Sequence, residues 1–211
     1  MHSANIPAPR LAVLLALCAL LAGACATPSP AMRYYLLTPV DAGAVPDDRL
    51  GDRTVIVGPL QLPGYLDRPQ LMVRLPDGEL ALRELDRWAE PLDAVLVSTL
   101  ADNLVRLTGS QRIVTFPTVG RVAADQRVTG RVIRFEADAN GLAVLQVQWS
   151  IRDDSGRPLR PLQIGEYRAQ AAGDESAALV AALSDVLGQF AAELAADLVA
   201  APDGIASGPD G

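Results

Sequence analysis

The sequence predicts an α+β domain in which two amphipathic helices pack on one face of a largely antiparallel β-sheet. Residues 91–109 and 174–200 carry apolar side chains at intervals of three and four, which is typical of helices with one buried face. Several shorter segments alternate apolar and polar residues, as half-buried strands do. Turn signals such as Pro76-Asp77-Gly78 separate these segments and indicate hairpins.

The first 24 residues predict an export signal that precedes the domain. Arg10 stands before an unbroken apolar run from Leu11 to Leu21, the order of charge and hydrophobicity found in secretory signal peptides. A helix of this run is about 16 Å long, too short for the ~30 Å hydrocarbon core of a bilayer. We therefore expect residues 1–24 to be cleaved off as a signal peptide.

Cys25 is the predicted lipidation site. It follows the small residues Ala22-Gly23-Ala24, which resemble the lipobox of bacterial lipoproteins, although that motif usually has Leu where Ala22 stands. Cys18 lies inside the apolar run, so the mature chain has one thiol and no internal disulfide, which acylation explains. The alternative is an ordinary Ala-x-Ala cleavage site that releases a soluble protein. In Gram-negative lipoproteins Asp after the cysteine favours the inner membrane, so Ala26 favours the outer one.

The composition of the mature chain excludes most catalytic chemistry. Of 18 basic residues, all Arg, Arg10 is lost with the signal peptide, so 17 remain against 25 acidic ones, a net charge of −8. This balance disfavours nucleic-acid binding. The chain has no lysine, and its one histidine, His2, lies in the signal peptide. Lysine nucleophiles, imidazole bases and histidine metal ligands are therefore excluded, and we predict no cofactor, metal or catalytic residue.

The segments before the first helix are predicted to be a tether and strands. Residues 25–32 form the lipidated cysteine and a proline-bearing tether of roughly 25 Å. Residues 33–38 and 53–60 read as strands, and residues 70–75 and 79–84 as a hairpin. Pro91 then begins a helix that Gly109 ends.

The second half is predicted to be β-rich and to close with a long helix. Residues 112–116 form a short strand, and residues 126–137 a longer one whose alternation shifts phase at Val132-Ile133, as a β-bulge makes it do. Residues 145–152 alternate cleanly, and Asp153-Asp154-Ser155-Gly156 turns into a strand over 162–171. The domain is predicted to span residues 33–201, followed by a disordered tail over 202–211 that lacks apolar periodicity.

Three motifs in order are more specific than the pattern of elements. They are Arg33-Tyr34-Tyr35-Leu36-Leu37, the stretch from Leu62 to Gln70 with Tyr65-Leu66-Asp67-Arg68-Pro69, and Arg87-Trp88-Ala89-Glu90-Pro91-Leu92. Behind a lipobox, their order and spacing resemble the PqiC/YmbA family, the lipoprotein component of ABC-type transport auxiliary systems. The resemblance covers residues 33–200.

That resemblance implies a non-enzymatic lipoprotein anchored in the outer membrane and facing the periplasm. It further implies that the protein docks a PqiB-like MCE-domain protein and its inner-membrane transporter, in a system that moves lipids between membranes. A homo-oligomer is also implied. The alternative from another class is a periplasmic carrier that binds a lipid or small molecule in its own cavity, and an enzyme is a distant third.

Six residues of the second and third motifs form the candidate partner-binding site: Tyr65, Asp67, Arg68, Arg87, Trp88 and Glu90. Tyr, Trp and Arg dominate the energetics of protein interfaces. The alternative is internal structure, in which Asp67 or Glu90 accepts hydrogen bonds from Arg68 or Arg87 while Trp88 packs over the sheet edge.

Two other features allow more than one interpretation. The carboxylates of Glu84, Asp86, Glu90 and Asp93 could form an acid/base pair or a hard-cation site, but solvating the loop and favouring the helix N-terminus is the simpler role. The apolar face from Leu179 to Leu198 could lie on a membrane, but its polar side carries only acids, so core packing is the better prediction. The sheet face that no helix covers is left as a surface for a partner or a lipid tail.

Overall fold

The computed structural model describes residues 30–44 and 46–201, which form eight strands and two long helices. The predicted signal peptide, Cys25 and the predicted tail over 202–211 lie outside these residues. The elements are β1 (Arg33–Tyr35), β2 (Val55–Gln61), β3 (Gln70–Arg74), β4 (Leu80–Trp88), α1 (Leu92–Thr108), β5 (Ile113–Thr115), β6 (Gln126–Asp138), β7 (Leu142–Arg152), β8 (Pro158–Gln170) and α2 (Ser176–Ala200), with a 3₁₀ turn at Gly64–Leu66. The predicted α+β class is confirmed.

The 13-residue strand β6 organises the sheet. One of its edges pairs with β7 from Arg127 to Ala137, and β7 pairs in turn with β8. Its other edge is shared between two parallel strands, β2 beside the first half and β3 beside the last two residues. The sheet therefore forks along this edge: one branch continues from β2 to β5, and the other from β3 through β4 to β1.

The long ladders β6–β7 and β7–β8 and the hairpin β3–β4 are antiparallel, in agreement with the prediction of a largely antiparallel sheet. Four shorter pairings are parallel: β1–β4, β2–β5, β2–β6 and β3–β6. The predicted bulge is also present, because the β6–β7 register shifts between Val132 and Arg134. Because of this bulge, the Phe135 side chain is buried in the core on the same side of the sheet as those of Val128 and Val132.

Both helices pack on one face of the sheet. The alternating residues of β7 are buried there, and Trp149 contacts Phe190 of α2 edge to face, with ring centroids 5.1 Å apart. α1 begins after Pro91 and ends at Gly109, whose positive φ of 75° provides the left-handed cap. Within the described residues one helix, α2, is long and apolar enough to cross a membrane. Its stripe, including Leu183, Phe190 and Leu194, lies in the core, as predicted.

Strand β4 differs from its prediction. It runs to Trp88, four residues beyond the predicted end at Glu84, because Asp86, Arg87 and Trp88 pair with β1. The third motif is therefore strand at its start and enters α1 only at Leu92. β1 in turn ends at Tyr35 rather than at the predicted Thr38.

Candidate functional site

The three motifs meet at one corner of the sheet. Tyr35 of the first motif lies opposite Trp88 of the third in the β1–β4 ladder. The Trp88 N–H donates to the Pro69 carbonyl at 2.7 Å, and the Ala89 N–H donates to the Tyr35 carbonyl at 2.9 Å. Segments far apart in the chain are thus held together by backbone hydrogen bonds just before α1 begins.

Asp86 fastens this corner to α2. Its buried carboxylate accepts hydrogen bonds from Arg33 Nε and Nη2 at 2.6 and 3.0 Å, from the Ser176 hydroxyl at 2.7 Å and from the Tyr35 hydroxyl at 3.3 Å. Burial by itself would raise the pKa of Asp86, but the hydrogen bonds from Arg33 and Ser176 outweigh it, so the pKa lies below its usual value. Asp86 is therefore structural and is occupied by these donors.

Replacing Arg33 with an uncharged residue should reverse the pH dependence that the Asp86 carboxylate gives to the stability of the domain. With its lowered pKa, Asp86 stabilises the native state above about pH 4, and that contribution is lost as the pH falls through its folded pKa. In Arg33→Met the buried carboxylate loses its main donor, so its pKa should rise above the unfolded value. The variant should then lose stability, relative to the unmodified chain, as the pH rises above about 4. Urea unfolding from pH 3 to pH 7 measures this.

Arg112→Met is the matched control. The side chains of Arg33 and Arg112 are 53% and 55% exposed, but their partners differ, since Asp86 is 6% exposed and Asp52 100%. An exposed pair contributes little, so Arg112→Met should keep the pH profile of the unmodified chain. Identical profiles for the two variants would show that Asp86 does not depend on Arg33.

A second buried carboxylate explains the position of Tyr65. Glu136 of β6 accepts from Arg74 Nε and, at 2.7 Å, from Arg134 Nε. Burial and the neighbouring Glu136 raise the pKa of Tyr65 to about 12. The second motif thus spans the fork between β2 and β3, with Leu66 in the core and Tyr65 beside Glu136.

The structure brings four of the six predicted site residues together and separates two. Asp67, Arg68, Trp88 and Glu90 line one open pocket of about 290 Å³. Tyr65 is half-buried toward Glu136 instead. Arg87 lies between Asp86 and Trp88 in β4, so its side chain is on the opposite face of the strand. Sequence reasoning missed Glu136, because only Arg134 is near it in the chain and the pairing of β3 with β6, which brings Arg74, is not encoded locally.

This pocket adjoins two others, and together they surround the first turn of α1. Leu66, Asp67 and Asp93 line the second, of about 460 Å³. Glu90, Asp93 and Phe116 line the third, of about 450 Å³. We call this surface the α1 groove, defined by Asp67, Arg68, Trp88, Glu90, Asp93 and Phe116.

The α1 groove is acidic and its charges are free. Over residues 30–44 and 46–201, the carboxylates of Asp67, Glu90 and Asp93 make no hydrogen bond or ion pair. The internal ion pairs considered as an alternative for Asp67 and Glu90 are therefore not formed there, whereas Trp88 is buried at the sheet edge as that alternative had it. A concave surface with three unpaired acids beside apolar side chains suits recognition of a cationic, partly apolar segment.

The four carboxylates considered as a catalytic or cation site do not converge. Asp86 is buried and bound to Arg33, Glu84 is exposed on β4, and Glu90 and Asp93 flank the start of α1. Within the described ranges, no group of three His, Cys, Asp or Glu side chains could hold a metal ion. These four carboxylates therefore do not lie together as one site in the described part of the chain, and Asp86 is bound to Arg33 instead of solvating the loop.

The motifs that form this corner also relate the chain to known proteins. A family model described as the ABC-type transport auxiliary lipoprotein component matches residues 35–195. The chain belongs to this family. Residues from all three motifs, such as Tyr35, Pro69 and Trp88, lie inside the matched range, and the resemblance stated from them is confirmed.

Relatives and solved structures agree with this membership. The chain is 26% identical to the intermembrane transport lipoprotein PqiC of Escherichia coli (strain K12) over 190 residues, which covers 90% of this chain and 98% of that protein. The crystal structure of an uncharacterized protein covers 80% of the chain with a TM-score of 0.64 and 20% identity. Protein XCC0632 from Xanthomonas campestris covers 77% with a TM-score of 0.59 and 20% identity. These two structures show the fold.

Membership in the ABC-type transport auxiliary family gives the chain a general role. It is an auxiliary lipoprotein component of transport, associated with a membrane of the cell envelope, and a transporter is its partner. In such a component the α1 groove is a candidate for contact with that partner.

Proposed function

We propose that the chain is an outer-membrane-anchored lipoprotein that serves as the non-enzymatic docking subunit of an MCE-type intermembrane lipid transport system. Its partners are a PqiB-like MCE-domain protein in the periplasm and the inner-membrane transporter of that system. Acyl chains on Cys25, a tether over residues 25–32 and a domain over residues 33–201 make up the mature protein, which assembles as a homo-oligomer. Family membership supports the role in transport, and Ala26 supports the choice of membrane.

The observation that carries the docking role is the α1 groove. It is built by two of the three motifs, it is concave, and its acids have no partner within the described part of the chain. The apolar lining offers burial, while Asp67, Glu90 and Asp93 select a partner segment with Arg or Lys. Catalysis by the groove would need a nucleophile and a base within hydrogen-bond reach of each other. Its six defining residues contain no such pair.

Affinity capture of the lipidated protein tests the proposal. A tagged full-length chain, extracted in mild detergent from cells that express it at native level, should co-purify with an MCE-domain protein. Deletion of the chain should increase the permeability of the envelope. If no such protein is recovered and permeability is unchanged, the docking role is wrong.

Charge reversal in the α1 groove should weaken binding of the MCE-domain partner. Glu90→Arg with Asp93→Arg is expected to lower recovery of the partner at least about tenfold, because like charges would face each other across the interface. The matched control is Glu79→Arg with Asp102→Arg, which changes the charge equally at exposed positions on a hairpin and on α1 outside the groove. Quantitative mass spectrometry of the captured material measures both, and equal losses would remove the groove from the interface.

Native mass spectrometry separates docking from the carrier alternative. The open pockets at the α1 groove hold about 290–460 Å³ each. A carrier purified from cells would retain a lipid or small molecule at near-stoichiometric occupancy, whereas a docking subunit should give the mass of the protein alone.

A further inference from the structure

In the described residues no helix covers the sheet face opposite α1 and α2, where only the neighbourhood of Glu136 is buried, beneath Tyr65, Arg74 and Arg134. The strand register shows which side chains lie on this face. Arg131 of β6 lies opposite Gln148 of β7, which lies opposite Ile164 of β8. Directly paired residues point to the same side of a sheet. Their chain neighbours Trp149 and Val147 are buried beneath the helices, so these three side chains point outward. We call this surface, formed by the outward residues of β3, β6, β7 and β8, the open face.

The open face is rich in arginine although the mature chain is acidic. The register places six arginines outward on these four strands, against three carboxylates, those of Glu136, Asp138 and Glu166. The arginines are Arg74, Arg127, Arg131, Arg134, Arg152 and Arg168. Arg74 and Arg134 share Glu136, Arg168 pairs with Glu166, and Arg127 pairs with Asp154 in the turn after β7. Within the described residues, Arg131 and Arg152 donate to neutral oxygens, those of Gln61 and Gly156. The face is therefore cationic, in contrast to the acidic α1 groove.

Exposed branched side chains lie among these arginines. Leu162 and Ile164 are 64% and 63% exposed, and the bulge at Ile133 exposes a third aliphatic residue on the neighbouring strand β6. Leu162 and Arg131 line one shallow pocket together with Thr129 and Ser150. Guanidinium groups beside protruding aliphatic side chains match the interface of a bilayer, where phosphates lie next to acyl chains.

The first strand of the domain, β1, lies at one edge of this sheet. Met32 and Tyr34 are exposed there, on the side of the strand away from buried Asp86. From β1 to β8 the sheet has six neighbouring strands, which makes it roughly 24 Å wide. The tether from Cys25 reaches about 25 Å. The tether between Cys25 and β1 is therefore long enough for the whole open face to contact the bilayer in which Cys25 is anchored.

From the charge, the exposed aliphatic residues and the reach of the tether, we infer that the open face binds an anionic lipid surface, with arginines on the lipid phosphates and Leu162 and Ile164 at the acyl boundary. This rests on the lipid anchor of the proposed function. It gives the protein a second membrane contact and leaves the α1 groove, which belongs to the helix side of the β2–β3 fork, for the transport partner. An acidic protein would share the charge preference but would not account for the tether.

Vesicle binding by an unlipidated chain tests this inference apart from the anchor. The mature chain with Cys25→Ser should co-sediment with vesicles of phosphatidylglycerol and phosphatidylethanolamine, but not with vesicles of phosphatidylcholine alone. High salt should release it, because the attraction is electrostatic. Arg131→Glu with Arg168→Glu should weaken binding at least about tenfold. Arg106→Glu with Arg121→Glu, at exposed sites on α1 and in a loop, should leave it within about twofold.

Three results would overturn the inference. They are no binding to the anionic vesicles, equal weakening by both arginine pairs, or a photocrosslinker at position 164 that captures a protein instead of lipid in cells. The two vesicle results do not depend on acylation of Cys25, which is measured separately by the mass of the N-terminal peptide. A chain that is unlipidated in cells but binds the vesicles would refute the anchor and support the open face.

Discussion

Replacing Cys25 with Ser is expected to move the protein from the membrane fraction to the soluble fraction. Each buried CH₂ of an acyl chain contributes about 0.8 kcal/mol to membrane binding, so the loss of all acyl chains should make the shift nearly complete. The open face alone would then hold the chain only weakly and reversibly at low salt. Fractionation in high salt, together with palmitate labelling of the full-length protein, measures the effect.

Cys18→Ser is the matched control for this experiment. Cys18 lies in the apolar run of the predicted signal peptide, so its replacement should change neither labelling nor fractionation. If Cys25→Ser remained in the membrane fraction after a high-salt wash, or if the unmodified chain took up no palmitate, acylation at Cys25 would be refuted. Cleavage at an Ala-x-Ala site would then be the better interpretation of Ala22-Gly23-Ala24.

Trp149→Ala is expected to be the most destabilising single change in the domain. The indole is fully buried between β7 and α2, and it contacts Phe190 edge to face at 5.1 Å between ring centroids. Truncating a buried Trp to Ala costs about 3–5 kcal/mol, because it removes apolar burial and leaves a cavity. A domain of this size has roughly 5–15 kcal/mol of stability, so the variant should unfold at a much lower urea concentration.

Trp149→Phe sharpens this prediction. The Trp149 Nε1–H is buried and makes no hydrogen bond within the described residues, so replacing the indole removes an unsatisfied donor as well as some contact area. We expect the loss for Trp149→Phe to be less than half of the loss for Trp149→Ala, measured by urea unfolding at equal protein concentration. Equal losses would mean that the indole N–H is bonded in solution.

The elements that could be predicted from the sequence are those whose signal is local. The alternation in β7, the stripe of α2, the cap at Gly109 and the phase shift at Val132-Ile133 each depend on residues a few positions apart. The parallel pairings of β2 and β3 with β6 depend on partners more than 60 residues away in the chain. No periodicity encodes such partners, so the fork in the sheet could not be predicted.

The same distinction applies to the site. The motifs drew attention to the segments that meet beside α1, and four of the six predicted residues line one pocket. Strand pairing determines which side chains point into this pocket. Because β4 pairs with β1 as far as Trp88, the Arg87 side chain points away from the pocket and Asp86 binds Arg33. Glu136 belongs to a long strand with ordinary alternation and became visible only through its contacts with Arg74 and Arg134.

Site-specific photocrosslinking in intact cells tests the docking role most directly. A photoreactive residue at position 90, in the α1 groove, should crosslink to the MCE-domain protein of the transport system, whereas the same residue at position 79, on the β3–β4 hairpin, should not. Mass spectrometry of the crosslinked bands identifies the partner. A crosslink from position 90 to that protein is the predicted result. Labelling only of the chain itself or of unrelated envelope proteins from position 90, in cells that express the whole system, would contradict the proposed docking role.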